Sequence, residues 1–193
     1  GFREIFGGLH KKYGVNPDMA IFGKALGNGY ALTAVIGRRE VMDLTQSTFI
    51  SSTFWTERIG PVAGLATLKV MERDKSWETI TKTGKIISQI WKDLAKENHL
   101  DIDISGIPSL SNFSLNYPNS LAYKTLITQE MMSQGFLAGT SVYACIEHND
   151  EIINSYSSKM RSIFQVIQEC EDGRNITELL NGPTCHSKFS RLN

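Results

Sequence analysis

Several features that would assign this sequence to a broad class of protein are absent from it. No apolar run approaches the roughly 20 residues that a membrane-spanning helix needs, and the first residues contain no apolar core of the kind found in secretion signals. Its 20 lysine and arginine residues equal its 20 aspartate and glutamate residues. The zero net charge therefore predicts neither a nucleic-acid partner nor a membrane partner. We expect a cytoplasmic protein.

Cysteine and histidine are also scarce, and their positions suggest no metal centre. The three cysteines, Cys145, Cys170 and Cys185, form no CxxC pair, and the four histidines form no HxH or HExxH pattern. An odd number of widely spaced cysteines favours a reducing compartment over a disulfide framework. We therefore predict no metal site and no structural disulfide.

Short apolar runs alternate with helical patterns in the first part of the chain. Residues 18–23 and 31–37 are apolar runs that end in glycine, which predicts strands buried on both faces of an α/β sheet. Residues 58–74 predict a helix, with Val62 and Leu65 on its apolar face. The pair Glu57 and Arg58, just before it, is predicted to be solvated.

The second part begins with a long helix, which tryptophans and isoleucines at helical spacing predict from about Ser76 to Asn98. Residues 100–117 then alternate like two strands around a Gly-Ile-Pro turn, and residues 122–134 predict a helix that ends before Gly135. A last helix to about Glu171 begins at Asn149, whose side chain can cap it. The predicted secondary structure thus changes from alternating strands and helices in the first part to a small α+β pattern in the second.

A lysine, Lys24, lies inside the glycine-rich stretch "MAIFGKALGNGYALTAVIG" at residues 19–37. A turn lysine is usually solvated, and that interpretation stays open here. Three features favour a chemical role instead. First, Lys24 directly follows a predicted strand, and strand ends in α/β sheets bind ligands. Second, the nearby glycines allow a close approach of the backbone and a positive φ. Third, desolvation between apolar strands would lower the pKa of the amine and make it a usable nucleophile. The glycine spacing fits neither a P-loop nor a dinucleotide fingerprint.

The segment around this lysine resembles the cofactor-lysine segment of class III pyridoxal-phosphate (PLP) aminotransferases, and most of all the glutamate-1-semialdehyde 2,1-aminomutase branch. The resemblance lies in "NPDMAIFGKALGNGYALTAVIGRREVMD". Upstream, "GFR" is similar to the end of the family motif DExxTGFR. Downstream, "SSTFWTERIGPVAGLATLKVM" lies where the family has GTFxGNPxAxAAGLATL, and "AYKTLITQEMMSQGFL" and "HNDEIINSYSSKMRSIF" resemble helices of its C-terminal domain.

The resemblance implies roles for three residues. Lys24 would form the Schiff base with PLP and then move a proton at the substrate Cα. Thr53 matches the threonine that reaches the cofactor phosphate of the neighbouring subunit, and Ser52 stands at the family glycine beside it. For Thr53, a Ser/Thr-rich loop that only caps the next helix is an open alternative. The segment "FWTER" departs from FxGNP, which leaves the shape of this loop open.

The resemblance also implies the fold and the organisation of the chain. We expect an α/β protein, the C-terminal part of a fold-type-I PLP-dependent transferase. Residues 1–75 would be the end of the cofactor-binding large domain, 76–98 a connecting helix, and 99–193 a small α+β domain with a polar tail. The aspartate that pairs with the pyridine nitrogen, and the phosphate loop of the same subunit, would precede residue 1.

Two hypotheses for function follow. The first is a homodimeric PLP-dependent aminotransferase (a transferase) or aminomutase (an isomerase) that moves an amino group on a small amino acid, amino ketone or amino aldehyde. The sequence around Lys24 does not distinguish these two reactions. The second is a catalytically incomplete fragment or domain with a structural or dimerisation role.

Overall fold

The computed structural model of the protein describes residues 1–187. The chain forms two compact units, Gly1–Glu78 and a second that begins at Thr79. The division of the chain into a large-domain part at 1–75, a connecting helix at 76–98 and a small domain at 99–193 stays a prediction. Within residues 1–187, no helix combines the length and the apolar character needed to cross a membrane.

The first unit contains two paired strands, three helices and two short 3₁₀ helices. Its elements are α1 Leu9–Lys12, β1 Met19–Phe22, a 3₁₀ helix Lys24–Leu26, β2 Ala34–Gly37, α2 Arg39–Met42, a 3₁₀ helix Asp43–Ser47 and α3 Ile59–Asp74. The strands pair antiparallel, with Met19 opposite Gly37 and Phe22 opposite Ala34. The predicted strands and the predicted helix after residue 58 are confirmed.

The predicted burial of these two strands is wrong. Ile21 on β1 is 77% exposed, and Val35 and Ile36 on β2 are also exposed. In the part of the chain that the structure describes, β1 and β2 form a sheet of two strands. A two-stranded sheet has too few neighbours to bury its apolar side chains on both faces.

The predicted apolar face of α3 is also exposed, because the helix packs through its glycines. Val62 and Leu65 are exposed, whereas Gly60 and Gly64 are buried. A Cβ at Gly60 would lie 2.6 Å from the carbonyl oxygen of Ala31, and one at Gly64 would lie 2.5 Å from the Leu32 side chain. The absence of side chains on this face lets α3 approach the 24–32 segment closely.

The second unit consists of helices around a three-stranded antiparallel sheet. Its elements are α4 Ser76–Glu97, whose first three residues belong to the first unit, β3 Ile102–Ile107, β4 Leu110–Leu115, α5 Ser120–Ser133, β5 Ser141–Tyr143, α6 Asp150–Glu171 and a 3₁₀ helix Ile176–Leu179. The strand order is β3-β4-β5. Asn149 caps α6, as predicted, by accepting a hydrogen bond from the Ile152 N–H at 2.9 Å. The predicted long helix, strand pair and last helix are confirmed.

An aromatic cluster forms the centre of this unit. The rings of Trp91 and Phe113 are 4.8 Å apart, and those of Phe113 and Phe164 are 5.8 Å apart. The Trp91 indole N–H donates to the Tyr156 hydroxyl oxygen at 2.8 Å. Both residues are buried, and burial raises the pKa of Tyr156. The hydrogen bond therefore satisfies an indole donor that water does not reach.

Replacing Tyr156 with phenylalanine is expected to lower the free energy of unfolding by about 1–3 kcal/mol, because the buried Trp91 N–H loses its acceptor. Chemical denaturation monitored by tryptophan fluorescence measures the change. The matched control is Tyr117→Phe. The Tyr117 hydroxyl accepts from the exposed Asp101 N–H, which can turn to water, so a change within about 0.5 kcal/mol is expected there. An equal decrease in the free energy of unfolding of the two variants would contradict the prediction.

Candidate active site

Lys24 follows directly after β1, where the chain makes a sharp change of direction. Gly23 is extended, and Lys24 has a left-handed backbone with φ +49° at the first position of the 3₁₀ helix Lys24–Leu26. A lysine in this region pays a steric penalty of roughly 1–2 kcal/mol that glycine would avoid. Non-glycine residues held in such conformations cluster at functional sites. The sequence predicts a strand-end lysine in a tight turn, and the structure places it there.

The turn after Lys24 has no space for a side chain at Gly27. Hydrogen bonds from Gly27 N–H to Lys24 O at 3.2 Å and from Tyr30 N–H to Gly27 O at 3.1 Å close the turn. A Cβ on Gly27 would lie 2.0 Å from the Tyr30 carbonyl oxygen. The φ of Gly27 is −83°, an ordinary value, so the requirement is one of space. Gly29 is required for its φ of +103° instead.

Replacing Gly27 with alanine is expected to displace the Lys24 turn, because the new methyl group would collide with backbone that has no rotamer to adopt. We expect at least a tenfold loss in covalent loading of Lys24 by PLP, measured by mass spectrometry after borohydride reduction. Gly182→Ala is the control, since a Cβ there meets nothing within 4 Å. Unchanged loading in Gly27→Ala would contradict the prediction.

The Lys24 side chain is exposed, and its ammonium has no hydrogen-bond or ion-pair partner among residues 1–187. The apolar enclosure expected from the sequence is therefore not formed by the described residues. The reason is the exposure of the two flanking strands: among residues 1–187, apolar side chains of β1 and β2 such as Ile21 and Ile36 remain exposed. The amine is sterically free to react.

Ser52 and Thr53 lie in the loop that leads into α3, and both are exposed. The Ser52 hydroxyl oxygen accepts from the Phe54 N–H at 3.3 Å, and the Glu57 N–H donates to the Phe54 carbonyl at 3.0 Å. These bonds define a turn directly after Thr53. Neither Ser52 nor Thr53 forms a hydrogen bond with Lys24 within residues 1–187.

Helix α3 is capped by Glu57, a residue for which the sequence predicts only a solvated surface pair with Arg58. The Glu57 carboxylate accepts from the N–H groups of Ile59 and Gly60, the latter at 3.1 Å. These two hydrogen bonds lower the pKa of the Glu57 carboxyl from its ordinary value, and the bond from Gly60 has the larger effect. Thr53 itself forms no hydrogen bond with α3 among the described residues. A carboxylate one residue before the helix cap is the signal that sequence reasoning overlooked.

The loops of Lys24 and Thr53 adjoin the same end of α3. The Thr53 loop enters the helix at its N-terminus, and Gly60 in its first turn packs on the 24–32 segment. The first unit thus connects a free amine and an exposed hydroxyl loop through one helix. This arrangement can supply a nucleophile at one loop and a hydrogen-bond donor for an anion at the other.

Comparisons with known proteins show what the chain is similar to. The profile of the family "Aminotransferase class-III" matches residues 4–148. The chain is 31% identical over 160 residues to a 3-aminobutyryl-CoA aminotransferase of Cloacimonas acidaminovorans (strain Evry), a match over 78% of this chain and 38% of the relative. It is 28% identical over 185 residues to a glutamate-1-semialdehyde 2,1-aminomutase of Methanocaldococcus jannaschii, a match over 87% of this chain and 43% of that one.

Solved structures show the same fold. The FumI protein of Sphingopyxis sp. MTA144, in its PLP internal aldimine form, superposes with a TM-score of 0.78 at 16% identity, over 93% of this chain and 44% of that one. A transaminase with PLP bound superposes with a TM-score of 0.73 at 22% identity, over 90% and 43% of the two chains. The predicted fold class, part of a fold-type-I PLP-dependent transferase, is confirmed.

The chain spans less than half the length of the curated relatives named above. The family match nevertheless covers most of the chain, including Lys24, Ser52 and Thr53. The predicted resemblance is confirmed, and the cofactor of the family is pyridoxal 5′-phosphate. On this evidence, the chain belongs to the class III aminotransferase family.

Proposed function

We propose that the protein carrying this chain is a PLP-dependent enzyme that moves an amino group on a small amino acid, amino ketone or amino aldehyde, with Lys24 as its Schiff-base lysine. The observation that carries the proposal is the position of Lys24, which follows directly after β1 in a turn closed by the hydrogen bond from Gly27 N–H to Lys24 O. The turn holds an amine with no partner among residues 1–187 at a strand end, and strand ends in α/β sheets bind ligands.

The residues present fit the cofactor at two points. An aldehyde needs a primary amine that no carboxylate neutralises, and Lys24 meets that condition among the described residues. A phosphate needs hydroxyl or amide donors, and Thr53 and Ser52 offer them on an exposed loop. When bound, PLP supplies the electron sink that makes a substrate Cα–H bond acidic.

Lys24 has two tasks in this function. Its amine would hold the cofactor at the aldehyde carbon. With a substrate amine in its place, Lys24 would be the group that accepts a proton from the substrate Cα and returns one as a general acid. A single amine at a fixed strand end can perform both tasks. Aminotransferase and aminomutase reactions both need them, and the two curated relatives carry one of these names each.

The test is the position of the covalent bond. The protein is incubated with PLP, reduced with borohydride and digested, and the peptides are analysed by mass spectrometry. The proposal expects a pyridoxyl adduct on the peptide that contains Lys24 and on no other lysine in substantial amount. If no adduct forms even with excess PLP, the alternative of a catalytically incomplete domain with a structural or dimerisation role replaces it. The exposed Phe49, Phe54 and Trp55 are what favour that alternative.

We further infer that the protein is a homodimer in which the Thr53 loop serves the site of the neighbouring subunit. Support comes from the Thr53 loop itself, which is exposed and carries the apolar side chains of Phe54, 75% exposed, and Trp55, 65% exposed. Exposed aromatic residues close together favour an interface over open solvent. In a two-fold dimer, each loop would meet the site of the other subunit.

Mixing Lys24→Ala subunits with Thr53→Ala subunits tests this arrangement. If Thr53 acts across the interface, each mixed dimer holds one complete site, and random exchange restores complete sites to about one quarter of the total. Borohydride-fixed PLP at limiting cofactor measures the restored fraction. If Thr53 acts within its own subunit, no site becomes complete and mixing restores nothing. Separately purified variants that are never mixed provide the baseline.

A further inference from the structure

Glu57 is bonded on two sides, to the loop before it and to the helix after it. Its backbone N–H donates to the Phe54 carbonyl at 3.0 Å and closes the turn after Thr53. Its carboxylate accepts from Ile59 and Gly60, the first two residues of α3. The Arg58 side chain at the formal cap position makes no capping hydrogen bond. Glu57 therefore ties the Thr53 turn to the helix.

The helix is in turn fixed against the segment that carries Lys24. Gly60 donates its N–H to Glu57 and approaches the Ala31 carbonyl so closely that a Cβ would lie 2.6 Å from it. A single residue, Gly60, thus contacts both the Glu57 carboxylate and the 24–32 segment. The position of the Thr53 turn on the first unit therefore depends on this connection.

The charge of the Glu57 carboxylate also favours its position, because the carboxylate lies at the positive, N-terminal end of α3. Because the carboxylate occupies the first amides of α3, an anion held by this loop has to be held by the Thr53 side of the turn.

We propose that Glu57 is a positioning residue for Thr53, and that its hydrogen bonds to α3 set how strongly the Thr53 loop holds the phosphate of the cofactor. The proposal rests on the proposed function, because it assumes that Thr53 contacts the PLP phosphate. It assigns no contact between Glu57 and the cofactor itself. Glu57 acts through the turn that it closes.

The test compares two ligands that differ only in the phosphate. Dissociation constants for PLP and for pyridoxal are measured with the full protein by absorbance, for the unmodified chain and for Glu57→Ala. The expected result is about a tenfold weaker binding of PLP with unchanged binding of pyridoxal, because only the phosphate meets the misplaced loop. Glu57→Gln retains an acceptor oxygen and is expected to recover most of the loss.

Asn149→Ala is the matched control, since it removes the side-chain cap of α6, where Asn149 accepts from the Ile152 N–H. It is expected to lower thermal stability as a lost cap does and to leave the ratio of the two dissociation constants unchanged. If Glu57→Ala changes PLP and pyridoxal binding equally, or changes neither, Glu57 is only a helix cap and the inference fails while the proposed function stands. If the unmodified protein forms no adduct at Lys24, the proposed function and this inference fail together.

Discussion

Replacing Lys24 with alanine is expected to eliminate the borohydride-fixed PLP adduct and to lower the rate of amino-group transfer by about 10³-fold or more, because the variant loses both the nucleophile and the general acid/base. Lys24→Arg is expected to be equally inactive, since a guanidinium keeps the charge but stays protonated and cannot attack the aldehyde. The measurements are the visible absorbance of the loaded protein and the single-turnover rate with an amino donor that the unmodified protein accepts.

A second left-handed lysine provides the matched control. Lys75 has φ +45° at the C-cap of α3, so Lys75→Ala makes the same chemical change at the same kind of backbone. We expect it to retain the adduct and the rate. We also expect Lys24→Ala to leave the unfolding temperature within a few degrees of the original, because the exposed side chain has no partner among residues 1–187. A Lys24→Ala protein that still turned over at a comparable rate would refute the assignment.

Replacing Gly84 with alanine is expected to destabilise the second unit by more than about 3 kcal/mol. Gly84 is buried in the middle of α4, and a Cβ there would lie 1.6 Å from the carbonyl oxygen of Pro108 and 2.4 Å from its carbonyl carbon. Both are backbone atoms of the turn between β3 and β4, so no rotamer change can relieve the clash. The helix would have to move away from the sheet and lose contacts along its buried face.

The sign of this effect separates tertiary packing from helix propensity. In an isolated helix, alanine is favoured over glycine by about 1 kcal/mol, so propensity alone predicts that the variant is more stable. Urea denaturation gives the sign directly. Gly182→Ala, where a Cβ meets nothing within 4 Å, is the control and is expected to change stability by less than about 0.5 kcal/mol. A stabilised or unchanged Gly84→Ala would contradict the close packing of α4 on the turn.

The sequence by itself determined the elements whose signals are local. The spacing of tryptophans and isoleucines predicted α4, Asn149 predicted the start of α6, and alternation around a Gly-Ile-Pro turn predicted β3 and β4. It also placed Lys24 after a strand in a tight turn and identified the family. These succeed because backbone hydrogen bonding and side-chain periodicity within an element depend on residues close in the chain.

Only the tertiary structure decided which surfaces meet. On α3, pattern alone selected Val62 and Leu65 for burial, but the glycines face the 24–32 segment because close backbone approach there leaves no room for a Cβ. Glu57 likewise became a cap once the turn after Thr53 directed its carboxylate at the amides of α3. Such contacts depend on where distant segments lie in space, and periodicity along a single element contains no information about that.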